Sequence, residues 1–385
     1  MAAARKVTIV AGTRPELIKL MPVLLALRAR PGFEVSLVAT AQHREMSDQV
    51  CAAFGVAPDV DLDLMRRGQT PAEVAARVTS AVQATLARQR PDAVLVHGDT
   101  TTCLASALAA FYEGIPIGHV EAGLRTYDFS APWPEEMNRR LTDPICRWCF
   151  APTERAAANL RAERIPEDRI FVTGNTVVDA LLLALRRVHA KPPPLPELPP
   201  GLLDGRRLVL VTGHRRESFG EPLRELCAAL RELAERHRDV VIVYPVHLNP
   251  NVQEPVNEIL GGAERIQLVR PLDYLGFVAL LERATLVITD SGGIQEEAPT
   301  LKKPVLVTRQ ATERPEAMER GLARLVGCSR ERIVEEASRL LEDPAAYAAM
   351  ATGTNPYGDG RAADRIADVL AATLPARPGA GEVGR

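Results

Sequence analysis

At 385 residues, with 46% of them hydrophobic, the chain is long enough for two domains that each bury a core. Its 47 basic and 49 acidic residues give a net charge of −2, which gives no indication of a nucleic-acid or anionic-membrane partner. No apolar run reaches the roughly 18 to 20 residues of a membrane span, and the first residues, MAAARK, are no signal segment, so we expect a soluble cytoplasmic protein.

Short β-branched runs alternate with amphipathic helical patterns in the first half of the chain, which predicts a parallel, doubly wound sheet. The predicted strands are 7–12, 34–39, 92–99, 115–122, 148–153 and 170–175. The clearest helix follows at 176–189, where apolar residues recur at intervals of three and four.

A proline-rich segment, KPPPLPELPPGLLDG at 191–205, comes next and predicts a semi-rigid linker. After it the alternation resumes, with a helix at 221–237 among the strands. These predicted strands are 207–213, 240–246, 265–271, 286–291 and 304–309.

The predicted fold class is therefore α/β, with two Rossmann-like doubly wound domains. The N-terminal domain is predicted at 1–190 and the C-terminal domain at 206–357. A last helix is predicted at 358–374, before a flexible tail at 375–385.

Six cysteines are scattered along the chain, and only Cys146 and Cys149 form a C-x-x-C pair. A structural zinc site requires a second pair or histidines at ligand spacing, and the sequence contains neither. We therefore predict buried free thiols and no metal site.

Polar segments follow several predicted strands, and ligands of parallel α/β sheets bind beyond the carboxyl ends of the strands. We expect these segments to form the functional site. They are GTRPELIK (12–19), HGDTTT (97–102), HVEAGLRT (119–126), TGHRRESFG (212–220) and PVHLNP (245–250).

The first half of the chain contributes carboxylates to these segments, and a group of them in one cleft can include one that transfers protons. The carboxylates are Asp99, Glu121, Glu135 and Glu136, flanked by Arg14, Lys19, Arg125, Arg139 and Arg140. Alternatively, Asp99 is the N-cap of a helix, and the two glutamates form a first helical turn. His97, His119 and His247 are most simply read as hydrogen-bonded core histidines.

The second half contributes groups that bind phosphate: His214, Arg314 and the helix start Ser291-Gly292-Gly293, whose free N–H groups can hold an anion. Glu296 and Glu297, one turn later, would repel phosphate. We therefore interpret one of them as the acceptor for both ribose hydroxyls of a nucleoside diphosphate that lies across the crevice between the domains. The alternative is that both are surface residues.

Two common nucleotide motifs are missing from the sequence. AGTRPE stands after the first strand in place of G-x-G-x-x-G, and no G-x-x-x-x-G-K-[ST] occurs. A nicotinamide site of the Rossmann type and a P-loop are therefore both disfavoured.

Together the motifs resemble those of the non-hydrolysing UDP-N-acetylglucosamine 2-epimerases. The resemblance extends from GTRPELIK to NPYGDG (355–360), and its markers stand in order: GTRPE, QHREM (42–46), HGDTTT, HVEAGLRT, PWPEEMNRR (132–140), TGHRRESFG, DSGGIQEEAP and TERPE. It implies the glycosyltransferase-B architecture, a homodimer, a UDP-sugar substrate and no cofactor. The implied reaction is reversible inversion at C2 of UDP-GlcNAc to give UDP-ManNAc.

The resemblance also implies a route and a set of residues. UDP leaves C1 as a base removes the C2 proton, and UDP adds back to the 2-acetamidoglucal after a proton arrives on the opposite face. The implied catalytic residues are Asp99, Glu121 and Glu135, with Arg139 orienting and His214 near the diphosphate. The implied substrate-binding residues are Arg14, Lys19, Phe277 at the uracil, Ser291, Gly292, Gly293, Glu297 at the ribose, and Arg314.

Four alternatives remain open at this point. The chain can be an epimerase of a modified sugar such as UDP-2,3-diacetamido-glucuronic acid, or a hydrolysing epimerase that releases free ManNAc. It can also be a glycosyltransferase of the same architecture, or a non-catalytic sugar-nucleotide sensor.

Overall fold

The computed structural model describes residues 4–40, 44–64, 66, 68–213, 215, 218–312 and 314–375, with the backbone alone at 44–46. Two compact units make up the chain. One contains the chain up to Leu183 and again from Tyr357, and the other is Ala184–Pro356.

The first unit is built on a seven-stranded parallel sheet of order β3-β2-β1-β4-β5-β6-β7. Its strands are β1 Arg5–Ala11, β2 Phe33–Ala39, β3 Val60–Asp61, β4 Ala93–His97, β5 Ile117–Val120, β6 Trp148–Ala151 and β7 Ile170–Val172. The helices that connect them are α1 Arg14–Arg28, α2 Arg44–Phe54, α3 Pro71–Gln89, α4 Thr101–Tyr112, α5 Glu135–Thr142, α6 Glu154–Ala162 and α7 Thr176–Ala190.

The second unit repeats this plan with a six-stranded sheet of order β10-β9-β8-β11-β12-β13. Its strands are β8 Arg207–Thr212, β9 Val240–Pro245, β10 Ile266–Val269, β11 Ala284–Thr289, β12 Val305–Val307 and β13 Ala323–Leu325. The remaining helices of the chain are α8 Glu221–Arg236, α9 Pro250–Leu260, α10 Tyr274–Arg283, α11 Gly292–Glu297, α12 Pro315–Glu319, α13 Arg330–Glu342, α14 Pro344–Ala351 and α15 Ala362–Thr373.

In each sheet the strand order reverses beside the first strand of the unit, between β1 and β4 and between β8 and β11. Such a reversal opens a crevice at the carboxyl ends of the strands, where loops from both directions leave the sheet. All five residues of β4 are buried, as expected for a central parallel strand that helices cover on both faces.

All eleven strands predicted from the sequence are present, with ends that differ by up to three residues. The two strands that were not predicted, β3 and β13, lie at sheet edges and contain two and three residues. Segments this short carry too little periodicity to be detected.

The boundary between the units falls inside α7 rather than at the predicted linker. Within the second unit, Glu197 of the proline-rich segment accepts a hydrogen bond from Arg270 N at 2.7 Å. The last helix returns to the first unit: Trp148 Nε1 donates to Thr373 Oγ1 at 2.8 Å, and Arg5 Nε donates to the Leu374 carbonyl at 2.8 Å.

Across the described part of the chain, no helix combines the length and the apolar character that crossing a bilayer requires.

Candidate active site

Asp99 lies in the turn between β4 and α4. The chain turns at Gly98, which has a φ of +69°, and α4 begins at the N-cap Thr100, whose hydroxyl accepts from Cys103 N at 3.0 Å. The alternative reading of Asp99 as the N-cap is therefore wrong, since Thr100 caps the helix. The Asp99 side chain is left 27% exposed and available for other contacts.

Two residues of α5 hold Asp99 in place. Arg139 approaches Asp99 Oδ2 with Nη2 at 2.5 Å and Nε at 3.1 Å, and Asn138 Nδ2 donates to the Asp99 carbonyl at 2.8 Å. The Arg139 side chain is itself buried and contacts Glu136 Oε2 at 3.2 Å. The two Arg139 donors hold one oxygen of the Asp99 carboxylate, and the Asn138 amide holds the Asp99 backbone carbonyl. Together these bonds fix the position of Asp99 and the orientation of its side chain.

Glu135 and Glu136 have different surroundings although they are adjacent. Glu136 is fully buried and accepts hydrogen bonds from the backbone N–H groups of Thr126 and Tyr127, both at 3.0 Å, so it holds the loop that precedes α5. Glu135 is partly exposed. It lies one turn before Arg139 and hence on the same side of the helix.

Glu121 follows β5 and is in contact with side chains from two other segments of the first unit. Its side chain is buried, and its Oε2 bonds Lys19 Nζ from α1 and Asn175 Nδ2, the latter at 2.7 Å. Its φ of +69° is in the left-handed region, which costs a non-glycine residue about 1 kcal/mol or more and is concentrated at functional sites. The structure therefore brings Lys19 and Glu121, both predicted site residues, into direct contact.

His97 is buried beside this pair, with Nε2 at 3.9 Å from Glu121 Oε2. Within the described part of the chain, Nε2 has no hydrogen-bond partner. Burial lowers the pKa of His97 to about 4, and Lys19 and His119 add to this effect while the carboxylates of Glu121 and Asp99 oppose it. The imidazole is therefore neutral at neutral pH.

A buried network of side-chain contacts supports the turn that contains Asp99. The fully buried His119 places Nε2 at 2.7 Å from the Gly98 carbonyl and Nδ1 at 2.6 Å from Asp143 Oδ1, and Asp143 Oδ2 also accepts from Arg125 Nη2 at 2.6 Å. Burial opposes ionisation of Asp143, but His119 and Arg125 outweigh it, so the pKa of this carboxyl is lowered. The reading of His119 as a hydrogen-bonded core histidine is confirmed.

Arg14 is the first residue of α1 and is partly exposed at the same edge of the sheet. The buried Glu16, two residues later, accepts from the N–H groups of Gly12 and Thr13 at 2.9 and 2.6 Å and from the Thr100 hydroxyl at 2.5 Å. Burial outweighs these bonds, so the pKa of Glu16 is raised. Glu16 thereby ties the start of α1, where Arg14 lies, to the start of α4.

In the second unit, Arg314 lies directly against the backbone of Gly292, the first residue of α11. A Cβ on Gly292 would lie 2.7 Å from Arg314 Cζ, so the guanidinium would have to move to admit a side chain, whereas a Cβ on Gly293 would meet nothing within 4 Å. Ser291 is the N-cap of α11, and its N–H donates to Thr289 Oγ1 at 2.9 Å. Glycine at 292 thus leaves room for the guanidinium in its present position, and glycine at 293 leaves open space.

The two glutamates of α11 are both buried, so the alternative that they are surface residues is wrong. Glu296 accepts from Arg314 Nε at 2.7 Å, which pairs this carboxylate with one edge of the guanidinium. Glu297 accepts from the Tyr274 hydroxyl at 3.0 Å. Phe277 is on α10 three residues after Tyr274 and is partly buried.

His214, a predicted catalytic residue, lies outside the described residues. Its neighbour Arg215 donates its backbone N–H to Asp290 Oδ2 at 2.9 Å. This bond ties the segment after β8 to the end of β11.

Sequence reasoning missed Asn175, Asn138 and Asp143. Asn175 stands at the end of the predicted strand 170–175, and its place at a strand carboxyl end is a signal that could have found it. Asn138 contacts Asp99, 39 residues away along the chain, and Asp143 contacts His119, 24 residues away. No local sequence pattern indicates contacts between residues this far apart.

Comparison with solved structures supports the fold class. The glycotransferase of kitacinnamycin superposes with a TM-score of 0.63 at 16% identity, covering 97% of this chain and 100% of that chain, a likeness that extends to the fold alone. The predicted class, two Rossmann-like α/β domains of the glycosyltransferase-B type, is confirmed.

Closer relatives share one description. A family model described as UDP-N-acetylglucosamine 2-epimerase matches residues 25–371. The UDP-N-acetylglucosamine 2-epimerase of Escherichia coli K12 is 53% identical over 368 residues, which covers 95% of this chain and 98% of that protein. A crystal structure of UDP-GlcNAc 2-epimerase from Neisseria meningitidis bound to UDP-GlcNAc superposes with a TM-score of 0.89 at 44% identity, covering 96% of this chain and 100% of that chain. The chain belongs to the family of UDP-N-acetylglucosamine 2-epimerases, which are isomerases.

Proposed function

We propose that this chain interconverts UDP-GlcNAc and UDP-ManNAc by elimination and re-addition of UDP through a 2-acetamidoglucal. The proton on C2 is not acidic, so its removal has to be coupled to departure of UDP from C1. Inversion then requires a proton on the opposite face of the same carbon, and hence acid/base groups in different positions.

This proposal depends on one observation: two carboxylates that follow neighbouring strands are held by different side chains. β4 and β5 pair in parallel with His97 opposite Val120, so Asp99 and Glu121 leave the sheet at the same edge. Arg139 orients Asp99, whereas Lys19 and Asn175 orient Glu121. Two carboxylates fixed by different partners suit proton transfer at two faces of one ring carbon.

Glu135 is the third acid/base residue of the proposal. It lies on the same side of α5 as Arg139, which in turn holds Asp99. Its buried neighbour Glu136 is bound to loop amides, so Glu135 is the one of the pair suited to exchange a proton with substrate.

The nucleotide is assigned to the second unit. Ser291, Gly292 and Gly293 start a helix against which Arg314 lies, and this arrangement combines backbone donors with a cation for the diphosphate. Arg14 and Lys19 keep their predicted roles as substrate-binding residues. His214 keeps its predicted place near the diphosphate.

Glu297 is assigned to the ribose and Phe277 to the uracil. Tyr274 donates to Glu297 Oε1 and so orients the carboxylate that is to accept the ribose hydroxyls. This resolves the repulsion that two glutamates would cause beside a phosphate site: Glu296 is paired with Arg314, and Glu297 is held by Tyr274.

The proposal includes a cytoplasmic homodimer. All six cysteines are free thiols, and five of them are buried, which suits a reducing compartment.

The test is a set of isosteric substitutions, Asp99→Asn, Glu121→Gln and Glu135→Gln. Each is expected to lower turnover of UDP-GlcNAc by roughly 100-fold or more while UDP still binds, as measured by calorimetry. Glu113→Gln is the matched control, because the Glu113 side chain is exposed and accepts a hydrogen bond from Gln83 Nε2 at 2.9 Å, outside the set of predicted site residues. Wild-type rates in all three variants would remove the carboxylate assignment.

A further inference from the structure

The chain re-enters the first unit at Tyr357, and residues 357–365, which we call the return segment, lie against the start of α7. The stretch that they contact, residues 173–179, follows β7 and contains the first turn of α7. Asn175, which bonds Glu121, is in the middle of this stretch. The return segment therefore contacts the backbone that carries a partner of a predicted catalytic residue.

The first contact between the two stretches is a backbone hydrogen bond to Asn175 itself. The Asn175 N–H donates to the Tyr357 carbonyl at 2.6 Å. Glycines flank this bond on both chains: Gly174 has a φ of +90° and Gly358 a φ of +140°, values that other residues rarely adopt. A Cβ on Gly174 would lie 3.5 Å from the Gly358 Cα, so the two backbones are in close contact. The return segment thus fixes the backbone position of Asn175.

The second contact is made by Asp179, in the first turn of α7. Its carboxylate accepts from the N–H groups of Ala362 at 3.2 Å and Ala363 at 2.9 Å, the first two residues of α15. These N–H groups lack a partner within their own helix, and a carboxylate at this end also favours the helix dipole. Burial outweighs the two bonds and raises the pKa of Asp179 to about 6, so the carboxylate is ionised at about pH 8.

The third contact is made by Arg365, on α15. Its Nη1 donates to the Thr173 carbonyl at 3.0 Å. The same guanidinium pairs with both oxygens of Asp359, at 2.8 and 2.7 Å. A bidentate pair of this kind restrains the guanidinium, so Arg365 ties the loop before α15 to the residue that follows β7.

The side-chain amide of Asn175 is oriented by the same arrangement. The residue is buried, its Oδ1 accepts from the Val177 N–H at 3.0 Å, and its Nδ2 donates to Glu121 Oε2 at 2.7 Å. Because a backbone N–H can only donate, Oδ1 has to face Val177 and the NH₂ group has to face the carboxylate. The direction of the amide towards Glu121 therefore follows from the position of the Asn175 backbone.

We propose that the return segment is a positioning element of the active site: through Asn175 it holds the Glu121 carboxylate in the orientation from which it transfers a proton. Asn175, Asp179 and Arg365 are positioning residues in this proposal, and none of them is assigned a contact with substrate. The inference rests on the acid/base role of Glu121 in the proposed function.

The two partners of Glu121 Oε2 differ in what they can fix. Lys19 presents a point charge on a flexible stem, whereas Asn175 presents a planar amide on a short side chain. Lys19 therefore supplies charge, and Asn175 supplies direction. A displacement of about 1 Å at a catalytic group can lower the rate by roughly 100-fold, so a partial loss of this support should be visible in kcat.

The test uses Asp179→Ala and Arg365→Gln, which each remove one contact of the return segment. At about pH 8, where the Asp179 carboxylate is ionised, each variant should lower kcat for UDP-GlcNAc by roughly tenfold. KM for UDP-GlcNAc and the calorimetric affinity for UDP should stay at the wild-type values, since the nucleotide is assigned to the second unit. The Arg365 side chain is 41% exposed, so Arg365→Gln provides the result if Asp179→Ala does not fold.

Thr373→Val is the matched control, because it weakens the docking of α15 at the opposite end of the helix. It removes the acceptor for Trp148 Nε1, which lies at 2.8 Å. It should lower the free energy of unfolding of the first unit in urea and leave kcat at the wild-type value. A loss of kcat equal to that of Asp179→Ala would overturn the proposal, because any weakening of α15 would then have the same effect.

A double-mutant cycle tests whether the effect passes through Asn175. Asn175→Ser keeps a hydroxyl that can cap α7 but lacks the amide that reaches Glu121, and it should lower kcat by roughly tenfold. In this background Asp179→Ala should lower kcat by less than about twofold more, since the bond that it disturbs is already lost. Equal losses from Asp179→Ala in the two backgrounds would overturn the proposal.

Failure of this inference and failure of the proposed function are distinguishable in the same assay. A wild type that does not convert UDP-GlcNAc overturns the proposed function and this inference with it. A wild type that forms UDP-ManNAc, with Asp179→Ala and Arg365→Gln at the wild-type kcat, overturns the positioning role alone.

Discussion

His97 makes the stability of the first unit depend on pH. Its pKa is lowered from 6.5 to about 4 in the folded chain, first because it is buried. Between these pH values the unfolded chain binds a proton that the folded chain does not, so acidification favours unfolding. The stabilisation is fully present above pH 6.5 and is lost as the pH falls through this range.

The size of the effect follows from the same pKa values. A pKa lowered from 6.5 to about 4 corresponds to about 3 kcal/mol when the unfolded chain is fully protonated. At about pH 5 most of this difference is already expressed, and His97 alone should lower the free energy of unfolding by about 2 kcal/mol relative to about pH 7.5.

The assay uses the two tryptophans of the chain, Trp133 and Trp148, which both lie in the first unit. Trp148 is 2% exposed, so its fluorescence changes when this unit unfolds in urea. The free energy of unfolding is compared at about pH 7.5 and about pH 5 for the wild type and for His97→Asn, which lacks the titrating group.

The wild type should lose about 2 kcal/mol more than His97→Asn between the two pH values. His189→Asn is the control, because it removes a histidine whose side chain is 62% exposed, and it should keep the wild-type loss. Equal losses in wild type and His97→Asn would refute the reasoning.

Two further predictions concern close packing and buried charge. Gly292→Ala should displace the guanidinium of Arg314 and weaken UDP binding by about tenfold, which is the value of one charge-assisted hydrogen bond. Gly293→Ala places its methyl group in open space and should weaken UDP binding less. The two affinities are measured by calorimetry, and the opposite order would contradict the packing argument. Asp143→Asn should lower the free energy of unfolding of the first unit by about 3 kcal/mol, because it removes a buried carboxylate that pairs with Arg125 and contacts His119 Nδ1. Glu163→Gln changes the more exposed carboxylate partner of Arg125 and should lower the free energy of unfolding less in the same urea assay. Equal losses for the two variants would contradict the argument from burial.

The sequence predicts the strands and the edge of the site well, for a physical reason. Buried parallel strands need β-branched apolar runs, and polar residues that follow such runs are at their carboxyl ends. Asp99 and Glu121 follow paired strands in this way, so the order of the chain already places them at one edge.

The support of the site is not predictable in the same way. Arg139 meets Asp99 across 40 residues, and Asn175 meets Glu121 across 54 residues, and neither contact has a local pattern. The left-handed backbone at Glu121 also depends on packing, since the sequence at this position contains no glycine or asparagine to indicate it. Side-chain partners across a sheet depend on how helices pack, which one sequence does not specify.

The most direct test of the proposed chemistry is epimerisation of UDP-GlcNAc in heavy water. Removal of the C2 proton by a carboxylate and its return from solvent predict UDP-ManNAc with deuterium at C2, and deuterium at C2 of the recovered UDP-GlcNAc as well. UDP-ManNAc that retains the original hydrogen at C2 would contradict proton exchange through Asp99, Glu121 and Glu135, and release of free ManNAc would contradict re-addition of UDP.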